Sequence, residues 1–451
     1  MEKFFKLKEN GTNVKTELAA GSTTFLSMVY ILAVNPSILA DAGMNGSAVF
    51  TATAVSAAAA TLFMAFFANY PIALASGMGL NAYFAYSVCI PLAKAGVNNP
   101  WEIALTAVFV EGIIFILLSL CSFREKLVND VPNNLKYGIT AGVGLFITLI
   151  GLNSAGIVIP NDSTLLSLGA LARPQFVLAV MGVMLICIFQ HHHIKGFILW
   201  ATLATWGLGM ISQAVGWYQV DPAAGTFSLY PAFSVDTILP EKPYFFDFNF
   251  GWIASHFLEF AVITFSFLFI DLFDTVGALI GISAKGYLVG EDGKLANVKG
   301  ALLADACGTV VGAVLGTSTV TSYIESCAGV ANGGRTGLAS VTTAGLFIIA
   351  LFFAPVFLAI PGFATAPALI YVGLLMIETI KNMQFGKNIA DDFSGFVAII
   401  MMPFSYSIAN GIMFGILSWV VLKIFTKGIK DIPPIMWISS IIFVLRIITL
   451  V

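Results

Sequence analysis

Apolar runs long enough to cross hydrocarbon recur along the whole chain, and no other feature limits its fold as severely. Read between charged or Pro/Gly-rich breaks, they lie near residues 19–39, 48–69, 71–91, 101–122, 136–158, 174–190 and 194–212. After a polar stretch at 213–250 they resume near 251–283, 300–315, 317–332, 336–360, 364–380, 392–407 and 408–425. A last apolar piece, 433–451, is compatible with spanning, with lying in the interface or with packing on the bundle. Hydrophobic residues make up 58% of the 451 and charged residues 10%, against about 25% charged in an ordinary soluble chain. Too little charge is present to cover a water-facing surface, so the chain reads as an all-α polytopic membrane protein. Cys89, Cys121, Cys187, Cys307 and Cys327 lie in or beside these runs without ligand spacing, so neither a disulfide framework nor a metal site is expected. The N-terminal MEKFFKLKEN lacks a signal-peptide cleavage pattern, so the first segment is expected to be retained as a helix.

The lysines and arginines test this segmentation independently. With the N-terminus placed in the cytoplasm, seventeen of them fall inside, from Lys3 to Lys430. Only Lys94, Arg173 and Lys242 fall outside, and Arg446 lies in the final segment. One miscounted helix would flip every later loop and destroy that bias, which supports fourteen transmembrane segments, seven plus seven. Two of them are unusual. The third carries Ser76-Gly77-Met78-Gly79 at its middle, and the tenth, VLGTSTVTSYIESCAGVANGG, is rich in Ser, Thr and β-branched residues. Both read as short extended strands feeding half-helices, an irregularity that survives at membrane depth only where protein or a cavity satisfies the backbone. They occupy matching places in the two halves. An odd number of spans per half makes the halves two inverted seven-segment repeats, and paired broken segments point to a transporter's binding site.

Against this apolar background the stretch FLFIDLFDTVGA, residues 267–278, carries two aspartates. Asp271 lies 14 residues from Lys285 at the expected cytoplasmic end. At 1.5 Å per residue that is about 21 Å, past the middle of a hydrocarbon layer about 30 Å thick. Asp274, at i+3, shares its face. An end-of-helix carboxylate reaching water is ruled out by that depth. A structural hydrogen bond to a neighbouring helix remains open for one of the two. An unpartnered acid there costs about 2.5–3.5 kcal/mol, so the pair should face a cavity or each other. Glu325 closes a Ser322-x-x-Glu325 pattern, which reads as a capping box and equally as a carboxylate beside the cavity where a half-helix starts. Asn81, just after the break in the third segment, is the matching polar group, either a helix cap or a ligand contact. Phe267, Phe269 and Phe273, with Tyr83 and Phe84, are candidates for a stacking wall, although 39 phenylalanines in the chain make core packing their default. His191-His192-His193 reads as a solvated turn rather than a metal tract. His256 and Glu259 read as interfacial, whereas Glu111 and Glu378 are deep but lack polar companions nearby in sequence.

No Lys or Arg falls inside the core spans. Carboxylates with an amide therefore suit a cation or a neutral solute rich in N–H donors, and disfavour an anion. A mid-membrane carboxylate is also the usual proton carrier of a symporter. One proton moving down about 100 mV supplies roughly 2.3 kcal/mol, enough for about a fifty-fold solute gradient. An intramembrane aspartyl protease would need a GxGD context, and a rhomboid-like serine enzyme GxSG; neither occurs, so no enzymatic chemistry is expected.

FLFIDLFDTVGALIG, GEDGKLANVKGALLADA, ASGMGLNAYF and ESCAGVANGGRTGL occur in order along the chain. In these motifs the sequence resembles the AzgA-like purine permeases, the adenine/guanine/hypoxanthine branch of the xanthine/uracil permease (nucleobase–cation symporter) superfamily. The resemblance implies a core domain of residues 1–125 and 251–360 and a gate domain of residues 126–250 and 361–451. It also implies a homodimeric proton symporter in the cell membrane that moves core against gate in an elevator-like way. A purine nucleobase and membrane lipid are the implied partners, with no nucleic acid and no cofactor beyond the coupling proton. By motif, the family's essential acid falls on Asp271, its tenth-segment glutamate on Glu325 and its third-segment asparagine on Asn81. Thr275, Ser326, Phe269 and Phe273 join these as expected substrate contacts. Asp271, Asp274 and Glu325 are the expected proton carriers, with Asp271 meeting the ligand and Asp274 open to a role in holding the helix. Many relatives read DTxGT where this chain has Asp274-Thr275-Val276-Gly277-Ala278, which leaves the preferred purine, or a uracil or xanthine substrate, open.

Overall fold

The computed structural model describes every residue except 1, 121–130, 162, 222–225, 232–239, 287–296, 427, 429–431 and 450–451, and omits the side chains of 2, 3, 273, 276, 277, 280–286, 446 and 449. Cys121 and the loop cations Arg124, Lys126, Lys294, Lys427 and Lys430 thus lie outside the described residues, as do the side chains of Phe273, Lys285 and Arg446.

The first half contains helices α1 (Val14–Met28), α2 (Ile31–Asp41) and α3 (Gly46–Phe63), strand β1 (Leu74–Ser76), and helices α4 (Met78–Ala82), α5 (Pro100–Leu120) and α6 (Asn133–Ser154). A hairpin of β2 (Val158–Asn161) and β3 (Leu165–Leu168) follows, then α7 (Pro174–His191) and α8 (Phe197–Ala214). The second half contains α9 (Phe257–Gly286), α10 (Val298–Leu315), β4 (Val320–Ser322), α11 (Ser326–Ala331), α12 (Gly337–Ala350), α13 (Gly362–Ile377), α14 (Ile389–Phe404), α15 (Ile408–Thr426) and α16 (Pro434–Thr449). Among the described residues ten helices are long and apolar enough to cross a membrane, so the protein is a helical, multi-pass membrane protein. Other expected segments take divided or shorter forms: 71–91 and 317–332 each split into a strand and a helix, and α14 has 16 residues.

Local chemistry sets several of these boundaries. Asn13 and Asn45 cap α1 and α3 by accepting from Thr16 N and from Ser47 and Ala48 N. The hairpin at 158–168 was not anticipated within the apolar run ending near 158. Its turn is held by Asn161, whose side-chain oxygen accepts from Ser163 N at 2.9 Å and Thr164 N at 3.0 Å, the behaviour that makes Asn a turn former. The final apolar piece packs on the bundle, α16 lying against α15 and α9.

Two sets of helices pack internally. In one, α10 lies against α3 and α5, α12 against α1 and α3, and α11 against α1. In the other, α6 lies against α13 and α14, α14 against α15, and α7 against α8 and α13. Small residues permit the closest approaches, as expected where no hydrophobic force distinguishes helix from lipid. A Cβ built on Gly138 of α6 would stand 2.5 Å from the carbonyl oxygen of Gly395 on α14. The helix α9 spans both sets, contacting α5 and α11 in the first and α6 and α15 in the second.

Glu17 of α1 shows how a buried charge is kept. It is fully buried, and its carboxylate accepts from Arg335 N at 2.8 Å, Ala339 N at 3.2 Å and Thr336 N at 3.3 Å. These amides belong to the first turn of α12 and the residues before it, where the helix dipole favours negative charge. Glu17→Ala is expected to destabilise the protein by about 1–2 kcal/mol, the scale of a lost N-cap. This should appear as a lower melting temperature in detergent, with Glu17→Gln intermediate. A Glu17→Ala variant that melts with wild type would refute the cap.

Candidate functional site

The site is built where two extended segments meet. β1 and β4 pair antiparallel, with Leu74 opposite Ser322, Ala75 opposite Thr321 and Ser76 opposite Val320, and all six residues are buried. Backbone groups just beyond the pair are also satisfied. Gly77 N donates to Thr319 O at 3.0 Å and Tyr323 N to Ala73 O at 3.0 Å, and the Tyr323 hydroxyl donates to Ser76 O at 2.6 Å. Thr61 of α3 accepts from Leu74 N at 3.0 Å and donates to Leu74 O at 3.2 Å.

The Ser/Thr richness of the second segment has a purpose visible only here, because successive hydroxyls reach different helices. The Thr317 hydroxyl accepts from Asn35 Nδ2 of α2 at 2.8 Å and shares a bond of 2.7 Å with the Ser76 hydroxyl. Ser318 donates to Asn81 Oδ1 of α4. Thr319 donates to Glu111 Oε2 of α5 at 2.9 Å, and Thr321 lies 3.4 Å from Asp274 Oδ2 of α9. Glu111, without a polar companion near it in sequence, thus gains one from 208 residues away.

Helix α9 carries Asp271 and Asp274 into this crossing in different surroundings. Asp271 is fully buried, and its Oδ1 lies 3.1 Å from the Thr275 hydroxyl one turn on. The same hydroxyl lies 2.9 and 3.0 Å from the two carboxylate oxygens of Asp305 on α10. The Thr275 hydroxyl thus lies between the two acids, with one proton to donate, and links α9 to α10. Asp305, also fully buried, was missed in the sequence although it lies in the quoted ALLADA stretch. The depth count that singled out Asp271 does not single out Asp305, which lies only 6 residues, about 9 Å, from Lys299 at the expected cytoplasmic end of its segment. Asp274 is half-buried and lines a cleft with Gly79 of α4, Ile139, Thr140 and Val143 of α6, and Met376 of α13. Of the two acids, Asp274 faces the cleft between the helix sets.

Glu325 is half-buried at the N-cap of α11, where the Tyr30 hydroxyl, from the break between α1 and α2, donates to its Oε1 at 2.5 Å. The capping box expected from Ser322-x-x-Glu325 does not form. Ser322 is the last residue of β4, so its geometry is extended, Glu325 makes no side-chain cap bond, and the Ser322 hydroxyl has no hydrogen-bond partner among the described residues. Asn81 is fully buried inside α4, and Gly77, not Asn81, stands at that helix's N-cap. With its Oδ1 taken by Ser318, its Nδ2 has no partner among the described residues. A buried amide donor without an acceptor costs about 1–3 kcal/mol and marks a place for one.

Ser326, Phe269 and Phe267 make contacts within the bundle. Ser326 is fully buried, and its hydroxyl accepts from Ala73 N at 3.0 Å, tying α11 to the residue before β1. Phe269 is buried against Phe265, ring centroids 4.7 Å apart, and Phe267 against Tyr83, also at 4.7 Å. The Phe273 side chain lies outside the described residues. Away from the crossing, His191, His192, His193, His256 and Glu259 are exposed or half-exposed. Glu378, expected to be deep, is exposed in an ion pair with Lys381 at 2.6 Å, because the helix tightens to a 3-10 turn over Glu378–Asn382 at the bundle's edge.

A multi-pass helical bundle whose broken segments converge on buried acids and an amide has the make-up of a membrane permease. Residues 15–414 match the model of the Permease family, the xanthine/uracil permease group, and the chain belongs to this family. It is 42% identical over 445 residues to the guanine/hypoxanthine permease PbuO of Bacillus subtilis, covering 98% of this chain and 99% of that one. It is 39% identical over 448 residues to the adenine permease AdeP of Escherichia coli, covering 99% of this chain and 96% of that one. These relatives are transporters, and the chain is a nucleobase-family permease, not an enzyme. Among solved structures, the transmembrane domain of a cyanobacterial bicarbonate transporter, BicA, superposes with a TM-score of 0.66 over 88% of this chain and 97% of that one. At 15% identity this likeness concerns the fold alone.

Thr275→Val keeps the shape of the side chain and removes the hydroxyl between two buried acids. It is expected to cost about 1–3 kcal/mol, read as a lower melting temperature, with Thr275→Ser close to wild type. Equal melting of Thr275→Val and wild type would show that the hydroxyl does not hold α9 to α10.

Proposed function

We propose that the protein imports a purine nucleobase (adenine, guanine or hypoxanthine) by proton symport across the cell membrane. The observation that carries this reading is that one broken segment reaches both a cleft-facing carboxylate, Asp274, and a buried amide, Asn81, whose Nδ2 has no acceptor among the described residues. A purine offers the complement, N–H donors for the acid and ring-nitrogen or carbonyl acceptors for the amide. The purine permeases among the relatives support the same substrate class. An anion like that of the structural neighbour is disfavoured by a site of carboxylates without a cationic side chain in its lining.

In this reading the expected substrate contacts are Asp271, Glu325, Asn81, Phe269, Phe273, Thr275 and Ser326, and Asp274 joins them as the acid that opens on the cleft. The coupled proton is carried by Asp271, Asp274 or Glu325, intramembrane acids of the kind that relay protons in pumps and symporters. Residues 1–125 and 251–360 form the moving core and residues 126–250 and 361–451 the gate, a division supported by the two helix sets. Fourteen segments in two inverted repeats, with the N-terminus cytoplasmic, agree with the lysine and arginine bias and with the pairing of the two broken segments. The protomers assemble as a homodimer. A uracil or xanthine carrier on the same fold is the second reading, because the departure at Ala278 lies beside the site motif.

Uptake of labelled adenine, guanine and hypoxanthine by cells lacking their own purine carriers tests this directly. Wild type should accumulate at least one base, and a protonophore should abolish the accumulation. Asp274→Asn, Asp271→Asn and Glu325→Gln should each lose at least about tenfold in uptake, the loss expected for one charge-assisted hydrogen bond. Undiminished, protonophore-insensitive transport in these variants would sink the mechanism, and competition by uracil or xanthine alone would favour the second reading.

A further inference from the structure

The cleft in front of Asp274 has two walls. Gly79 of α4 with Ile270 and Asp274 of α9 form one, and Ile139, Thr140 and Val143 of α6 with Met376 of α13 form the other. The walls come close, since a Cβ built on Gly79 would stand 2.7 Å from Val143 Cγ1. The lining is otherwise apolar, aliphatic side chains and a thioether. Among the described residues, side-chain oxygens come to the lining from two, one in each wall: Asp274 and Thr140.

The ordinary fate of a threonine in such a helix is to close its hydroxyl onto the carbonyl one turn back. Thr148, two turns further along α6, does so at 2.9 Å to Gly144 O. Thr140 makes the corresponding bond to Lys136 O at 3.3 Å, beyond the usual 2.5–3.0 Å or so of an O–H···O bond. Its lone pairs remain available to accept, and with so weak an internal bond its proton can turn to donate.

We propose that Thr140 is a specificity-determining residue of the purine site, contributed by the wall opposite Asp274 and hydrogen-bonded to an edge of the base that Asp274 does not reach. This rests on the purine reading above. Purines differ at the positions around the ring that carry amino or oxo groups, so a group that both accepts and donates on the second wall senses differences that a carboxylate on the first cannot. It also means that a bound base touches both helix sets, so its identity is felt across the surface along which they move.

The test is uptake kinetics of wild type, Thr140→Val and Thr140→Ser with adenine, guanine and hypoxanthine, alongside surface abundance and detergent melting. Thr140→Val should raise KM by up to about tenfold for at least one base. The factors should be unequal across the bases, the change in KM should exceed that in maximal rate, and Thr140→Ser should restore the wild-type pattern. The inference is overturned if wild type carries purines and Thr140→Val leaves every KM unchanged, or changes all equally with a lower melting temperature. If wild type carries no purine, the purine reading falls first and this inference with it.

Discussion

The antiparallel pairing of β1 with β4 is the contact on which the rest of the site depends. Extended backbone inside a membrane bundle has no water to satisfy it, so three residues from each half of the chain must satisfy one another. The pairing brings Gly77 and Thr319 together and sets the starts of α4 and α11 on opposite sides of one crossing. Asn81 and Glu325 lie at the helices that leave that crossing, and Glu111 and Asp274 lie on helices whose acids its hydroxyls reach.

Around the crossing, buried acids are handled in three ways. Glu17 accepts from the backbone amides at the start of α12. Asp271, Asp305 and Glu111 are held by threonine hydroxyls within the bundle. Asp274, with a long contact to Thr321, and Glu325, held on one side by Tyr30, are the two that remain partly open. Because an unsatisfied charge in such surroundings is expensive, the acids left open are the ones whose exposure is most naturally explained by a guest.

Much of this was legible in the sequence, for identifiable reasons. Hydrocarbon imposes a length and an apolar periodicity, so nearly every helix lies within an apolar window. Gly77 and the Ser/Thr run around Thr317 depart sharply from that pattern, so both breaks were visible. What was not legible has one cause. A hydroxyl or ring, such as those of Ser326 and Phe269, shows nothing in sequence of the backbone amide or ring that it contacts. Asp305 and Tyr30 gain their meaning from partners 30 and 295 residues away.

The sequence by itself determined that this is a multi-pass helical protein with two interrupted segments and acids at mid-depth, because water and hydrocarbon act on each segment separately. Which acid opens on the cleft was decided only by the tertiary structure. Asp271 and Asp274 sit at i and i+3, about 60° apart around the helix, a difference no pattern along one helix can resolve. Asp305 lies against one side of α9 and Thr140 across the cleft on another. These neighbours come from other helices, and their positions bury Asp271 beside α10 and leave Asp274 facing the space between the walls.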